Sequence, residues 1–263
     1  MVYLNEYEIF FNITGNSLEI IGGLPSSYLH HFFEDSFIVA TGAPSADENW
    51  AWIKSIDYSR SLLIEVASQF ERKSLQFMWP IFPDSVNQMI FDMDELGLLA
   101  RTTMSAMIFD SNLDHAYKIN EINSKFKTAK VLTLEDALLW SDVCWRAFSQ
   151  VEEELQPEFV RFAQNAVLND KLKLVLGYFE NEPVGCYMLT LSRGMYLSHF
   201  AVLPKWRNIG LGSLLMNEIM DYNNRAQNRY LALLATSSGE RLYNKYGFRN
   251  IADIPIRSFC ERI

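Results

Sequence analysis

The sequence predicts a mixed α+β or α/β chain of two like-folded domains, each a mixed, mostly antiparallel twisted sheet flanked by helices. Three observations carry that expectation. Residues 171–202 hold three apolar stretches parted only by short turns, which is an antiparallel meander, with helical segments before and after. A faint internal echo joins "QFMWPIFPDSVNQMIFDMDELGLLAR" to "RYLALLATSSGERLYNKYGFRN": strand, polar loop, helix, Gly, large apolar residue, short step to Arg. The match is in pattern and not in identity, so it suggests two copies of one fold, with chance similarity as the alternative. Finally, 263 residues suit about two domains, or one large one.

In the first half, "YEIFFNIT" and "SLEIIGGL" read as strands, and "ENWAWIKSIDYSRSLLIEVASQF" as a helix. "LQFMWPIF" reads as a strand, "DSVNQMIFDMDEL" as a helix ended by Gly97, and "TTMSAMIFD" as a strand. The polar, weakly periodic stretch 109–127 is the best linker, which sets domains at 1–118 and 127–263 with 119–126 between them. In the second half "KTAKVLTL" is a strand, and "EDALLWSDVCWRAFS" and "QPEFVRFAQNAVLND" are helices. "KLKLVLGYFE" alternates like a strand, "NEPVG" is turn chemistry, and "GCYMLTL" and "MYLSHFAV" complete the meander. A helix over 210–226 buries Leu211, Leu214, Leu215 and Ile219. "RYLALLA" is apolar on both faces, as a central strand would be. "SGERLYNKY" is a helix stopped by Gly247, and "FRNIADIPIRSFCERI" supplies the closing strands.

Composition narrows the function. Hydrophobic residues make up 49% and aromatics 14%, enough for a well-filled core. No apolar run approaches the ~18 residues of a membrane span, and the N-terminus lacks the basic start of a secretory signal. Cys144, Cys186 and Cys260 are odd in number and far apart, which disfavours a disulfide framework or a zinc site and points to a cytoplasmic setting. His30 and His31 are adjacent while His115 and His199 are isolated, so no metal is expected. The net charge of −9 is uneven: residues 1–118 carry ten more acidic than basic groups, and 119–263 one more basic than acidic. An acidic half argues against nucleic acid as a partner and could attract a cation, although such surfaces often serve solubility alone.

The stretch "HFAVLPKWRNIGLGSLL" places Arg207, Gly210 and Gly212 where a helix begins. A helix N-terminus offers unpaired N–H groups and a partial positive charge, and glycine lets an anion approach them. A P-loop would need Lys and Ser/Thr after the glycines, and a dinucleotide fingerprint would need Gly or Ala at Leu215 and a turn directly after the strand; both fail. Arg/Gln-x-x-Gly-x-Gly/Ala fits without mismatch. Here the sequence resembles the GNAT acyltransferases, which move an acyl group from acyl-coenzyme A. "FAVLPKW" and "ERLYNKYGF" (240–248) are similar to the family's approach to that motif and to its second signature. The resemblance covers about 127–263. The first half resembles the degenerate N-terminal copy of tandem GNAT proteins through "MWPIFPDS" and "LGLLARTTMSAMIFD"; it lacks the glycine motif, and Gly42 is the one glycine in 40–75, so no coenzyme A is expected there.

The resemblance implies acetyl-CoA or another acyl-CoA as co-substrate. Backbone groups of Phe200, Ala201 and Val202 would pair with its pantetheine arm. Asn208, Ile209, Gly210, Leu211, Gly212 and Ser213 would cradle the diphosphate, with Arg207 adding charge or bracing the loop, and Thr236 is a further cofactor contact. Tyr243 matches the family's proton donor to the departing sulfur, its other reading being core packing. No general base is legible. Strand alternation sets Tyr196, Ser198, Phe200 and Val202 on one face, from which Tyr196 or Ser198 could relay a proton through water. It sets His199 with Ala201 on the other face, unless a bulge shifts the register. The run Glu152-Glu153-Glu154 could hold a cationic amine or be a solvated loop. The expected partner is an amine of a small molecule or peptide. A non-catalytic acyl-CoA-binding module and a transferase of longer acyl chains are the rival readings.

Overall fold

A computed structural model describes residues 5–43, 45–83, 85, 87–113, 125–149 and 154–259. The chain begins with a helix, α1 (Glu6–Gly22), where two strands are expected from the sequence. A capping box starts it: Asn5 Oδ1 accepts from the Glu8 N–H at 2.8 Å, and Glu8 accepts from the Asn5 N–H at 3.0 Å. Its buried Phe10, Phe11, Thr14, Ser17, Leu18 and Ile21 form one helical stripe. β-Branched and aromatic residues disguise that period. Gly15 belongs in it because the Trp52 indole lies 3.0 Å from where a Cβ would stand.

A hairpin of β1 (Tyr28–Phe33) and β2 (Ser36–Ala40) follows, where no element is predicted, and β3 (Asn49–Trp52) completes a three-stranded sheet. The helix expected over 48–70 begins only at α2 (Arg60–Arg72). Buried Asn49 holds the preceding chain extended by donating to the Ala43 and Gln76 carbonyls, each at 2.8 Å. After α2 come β4 (Trp79–Pro80), α3 (Asn87–Glu95) and β5 (Leu98–Asp110). The second half follows its prediction more closely: β6 (Phe126–Lys130), α4 (Leu134–Phe148), α5 (Pro157–Val167), β7 (Leu172–Phe179), β8 (Glu182–Leu191), β9 (Met195–Val202), α6 (Leu211–Arg225), β10 (Tyr230–Ala235), α7 (Ser237–Lys245) and β11 (Arg249–Phe259). Most of the linker segment 119–126 lies outside the described residues.

The large sheet has the order β4-β11-β5-β10-β9-β8-β7-β6. The two halves interleave in it. β5, the last strand of the first half, lies between β10 and β11; β11, the last of the second, lies between β4 and β5. The closing segment is accordingly one long strand, because β5 fills the place a second would take. The echo is structural as well: β4-α3-β5 and β10-α7-β11 run alike, and Gly97 (φ 77°) and Gly247 (φ 85°) both end their helices in the left-handed region.

Three apolar clusters hold these layers. α1, α4 and α5 cover one face of the sheet through Phe10, Trp140, Phe159 and Phe162. α6 and α7 cover the opposite face through Leu215, Ile219, Tyr243 and Tyr246. α2 and α3 enclose Ile38, Ile53, Phe77 and Trp79 in the first half. α1 reaches across the halves: Ser17 Oγ donates to Thr190 Oγ1 at 2.8 Å in the buried interior, and Glu6 pairs with Arg249. No helix among the described residues is long and apolar enough to cross a membrane.

Candidate active site

The parallel strands β9 and β10 pair only at Met195/Leu231 and Tyr196/Ala232. Beyond these they part, leaving a wedge between residues 197–202 and the end of β10. β9 keeps its other neighbour, β8, throughout, but its register shifts between the pairs Met188/Ser198 and Cys186/Ala201. Two residues, His199 and Phe200, therefore oppose the single Tyr187. This is a β-bulge, and it places His199 at φ 51°. A non-glycine residue there costs about 1–3 kcal/mol unless its surroundings enforce it. Here they do. Trp140 Nε1 donates to the Tyr187 carbonyl at 3.2 Å, and the Cys186 thiol lies 3.6 Å from the His199 carbonyl.

The bulge corrects the expected alternation. Tyr196 and Ala201 face the cluster under α4 and α5, while Phe200 and Val202 face α6 and α7. His199 turns toward the first of these faces, into a box of Trp140, Phe159 and Phe162 rings with centroids 5.5–6.0 Å away. Its Nε2 stands 3.2 Å from Glu48 Oε1, and its Nδ1 3.1 Å from Ser198 Oγ. Glu48 comes from the first half, in the 3-10 turn Ala46–Glu48. Both side chains are nearly enclosed, at 13% and 12% exposure. Burial opposes a charge on the imidazole, but the Glu48 carboxylate outweighs it and, with smaller contributions from Cys144 and Asp47, raises His199 to about 9.

After β9 the chain turns through Pro204–Trp206 into α6. Asn208 (φ 64°) and Gly210 (φ 93°) take left-handed conformations, and Gly210 is the N-cap of α6 with no side-chain cap. Ser213 donates back to the Gly210 carbonyl at 3.0 Å; the Leu211 and Gly212 N–H groups, lying in the first turn, have no intrahelical acceptor. A Cβ on Gly210 would meet nothing within 4 Å, so the space before the helix is open. Ile209 is exposed beside it. Arg207 braces this loop: Nε donates to the Val202 carbonyl at 2.9 Å and Nη2 to the Ala147 carbonyl at 2.6 Å.

Two phenols approach the wedge. Buried Tyr243 packs edge-on to Phe200 with centroids 5.9 Å apart, and burial pushes its hydroxyl well up. Tyr196 is also raised by burial, against a hydrogen bond from the Leu234 backbone, and feels Tyr243 nearby. Thr236 stands at the end of β10, its hydroxyl 3.0 Å from that of Ser238. Thus Phe200, Val202 and Tyr243 lie on the α6 and α7 side of β9, Tyr196 and Ala201 on the α4 and α5 side, and Ser198, Thr236 and the 207–213 loop belong to the segments that border the wedge. Glu152 and Glu153 lie outside the described residues. Glu48 escaped sequence reasoning, since nothing local in "SADENW" signals a partner 151 residues away. No group of three or more metal-binding side chains occurs among the described residues.

Comparison with known proteins bears on the second half and on the fold. Residues 145–258 match the family model described as "Acetyltransferase (GNAT) domain". A search of curated proteins returned no match. Among solved structures, a GCN5-related N-acetyltransferase from Kribbella flavida is similar over 98% of this chain and 96% of its own, at TM-score 0.67 and 11% identity. A tandem GNAT protein from the clavulanic acid biosynthesis pathway is similar over 97% and 95%, at TM-score 0.60 and 10% identity. At such identity these two likenesses speak for the fold. Residues 145–258 thus match a GNAT domain model, and over nearly its whole length the chain shares the fold of these two GNAT structures.

Proposed function

We propose that this protein is an acetyl-CoA-dependent N-acetyltransferase that moves an acetyl group to a primary amine of a small molecule or peptide by direct transfer. The observation that carries the reading is the junction of β9 and α6: a strand edge without β10 as partner runs into a helix N-terminus without a side-chain cap. Open space before Gly210 fits a diphosphate on the N–H groups of 208–213, and the edge at 200–202, which lacks β10 as a partner and gives its Val202 carbonyl to Arg207, fits an amide-bearing arm. Acyl-CoA supplies an activated thioester. Tyr243, kept neutral by burial, would give its proton to the sulfur as that bond breaks. Tyr196 and Ser198, at the root of the wedge, would carry the amine's proton away through water. Arg207 serves as a brace, its guanidinium being committed to two carbonyls.

The same reading treats 1–118 as a GNAT-like domain without coenzyme A, 119–126 as a linker and 127–263 as the catalytic domain, acting in the cytoplasm without nucleic acid or membrane as partner. At the place matching the α6 N-terminus, the first half has Ser59, whose own hydroxyl takes the Leu62 N–H at 3.1 Å. Buried Asp92, held by Tyr58, adds a carboxylate beside it. The Ser59 cap takes a donor that an anion would need, while the Asp92 charge is balanced by Arg60 at 2.8 Å. Asp47, exposed beside the Glu48–His199 pair, favours a cationic acceptor.

One observation favours a second reading, a non-catalytic acyl-CoA-binding module: His199, the imidazole beside the wedge, is already committed to Glu48. A panel of amines offered with acetyl-CoA, followed by release of free thiol, separates the two. Amine-dependent thiol release supports transfer. Acetyl-CoA binding without turnover on any amine supports the module.

A further inference from the structure

The first half reaches His199, beside the wedge, through Glu48. We infer that Glu48 is a positioning residue for the cofactor cleft of the other half: through His199 it holds the bulge at 198–199, and so keeps the backbone edge of 200–202 turned into the wedge. The inference rests on the proposed role of the wedge as the acyl-CoA cleft.

The argument is one of register. Side chains and backbone groups of a strand alternate with period two, so losing a one-residue bulge exchanges the faces of everything beyond it. Without the bulge, Phe200 and Ala201 would trade sides, and the carbonyls and N–H groups of 200–202 would meet the wedge in the wrong order. His199 sits at φ 51°, a conformation its neighbours must enforce. Trp140 and Cys186 hold the β8 side of the bulge through backbone carbonyls. The Glu48 contact fixes Nε2 of the imidazole, and it comes from another part of the fold. The second ring nitrogen meets Ser198 Oγ at 3.1 Å, so one imidazole ties together both residues of the irregularity.

The contact is charge-dependent. The groups facing His199 are Glu48 and Asp47 from the 3-10 turn, Cys144 from α4, and Ser198 and Cys186 from β9 and β8; α5 adds only the Phe159 and Phe162 rings. Arg101 of β5 stands near Asp47. With His199 at about 9 the imidazolium and the carboxylate coexist at neutral pH. Replacing the carboxylate by an amide keeps the shape of the contact while removing its charge, and burial then favours the neutral ring.

The test uses the full chain and acetyl-CoA, with dissociation constants measured by titration calorimetry from pH 6 to 9.5. The wild-type protein should bind with constant affinity to about pH 8 and weaken as pH passes 9. Glu48→Gln should bind at least ~10-fold more weakly at pH 7.5 and recover as the solution is acidified. Glu48→Asp, which keeps the charge, should restore most of the affinity at pH 7.5. A wild-type affinity and pH profile in Glu48→Gln would overturn the inference while leaving the cofactor site intact. Should Glu48→Gln not fold, the wild-type profile decides alone: constant affinity through pH 9.5 overturns the proposal. Absence of acetyl-CoA binding by the wild-type chain at every pH removes the cofactor reading, and this inference with it.

Discussion

His199 and Tyr243 sit on opposite faces of β9, and burial acts on both. For the phenol, burial alone raises the proton affinity, so Tyr243 stays a proton donor across the physiological range. Tyr243→Phe removes one oxygen and keeps the ring against Phe200 and Phe248. Folding and acetyl-CoA affinity should be nearly unchanged, while turnover with a competent amine falls by about 10²–10⁴, in kcat rather than KM. Thiolate leaves fairly readily, which favours the lower end. For the imidazole, Glu48 overcomes burial and the pKa rises from 6.5 to about 9. A group whose folded value lies above its unfolded one contributes stability that is fully present below pH 6.5 and lost as pH rises through 9. The contribution is on the order of 3 kcal/mol at its largest. Unfolding midpoints of wild type and Glu48→Gln should therefore differ most near pH 6 and converge by pH 9.5; a gap that is constant across that range would show that the pair does not titrate.

At the scale of elements, the proposed cofactor site rests on a few backbone groups in the turn from β9 into α6. Gly210→Asp tests it, because it sets a carboxylate where the diphosphate would belong, at a left-handed backbone cost of about 1 kcal/mol that the alanine control shares. A ligand bound only to the native state at 100 times its dissociation constant adds about 2.7 kcal/mol, so acetyl-CoA should raise the wild-type melting point by several degrees and the variant's not at all. Gly210→Ala is the control: its Cβ meets open space, so it should cost about 1 kcal/mol for the left-handed backbone and keep the ligand shift. This element was legible in the sequence because the spacing of Arg207, Gly210 and Gly212 is set within one turn. α1 was not, because Gly15, Ile13 and Thr14 argue locally against a helix whose stripe is rewarded only by packing on the other half. The bulge at His199 was half legible: its chemistry stood out, but its direction depends on pairing with β8. Glu48 was illegible, since its partner is fixed only by the assembled fold.

At the scale of the whole molecule, the interleaving of strands decides what each half can do alone. β5 supplies the neighbour that β10 and β11 share, with Met107 and Phe109 in the core under α6 and α7. Without residues 1–118, β10 loses its antiparallel partner, β11 loses its ladder, and the apolar face of α1 no longer covers the sheet beside Tyr196 and Thr190. An exposed central strand such as "YLALLA" is a template for aggregation. The expectation is that 127–263 expressed alone is insoluble or lacks a cooperative thermal transition. Co-expression of 1–118 with 127–263 should give a soluble one-to-one complex that regains the acetyl-CoA shift, because the exchanged strands can pair between separate chains as they do within one. A 127–263 fragment that melts cooperatively near the full-length midpoint would show that β5 is dispensable. A fragment that folds but binds acetyl-CoA with lowered affinity would instead separate the two debts this half owes to the first: the strand that completes its sheet, and the carboxylate that holds His199.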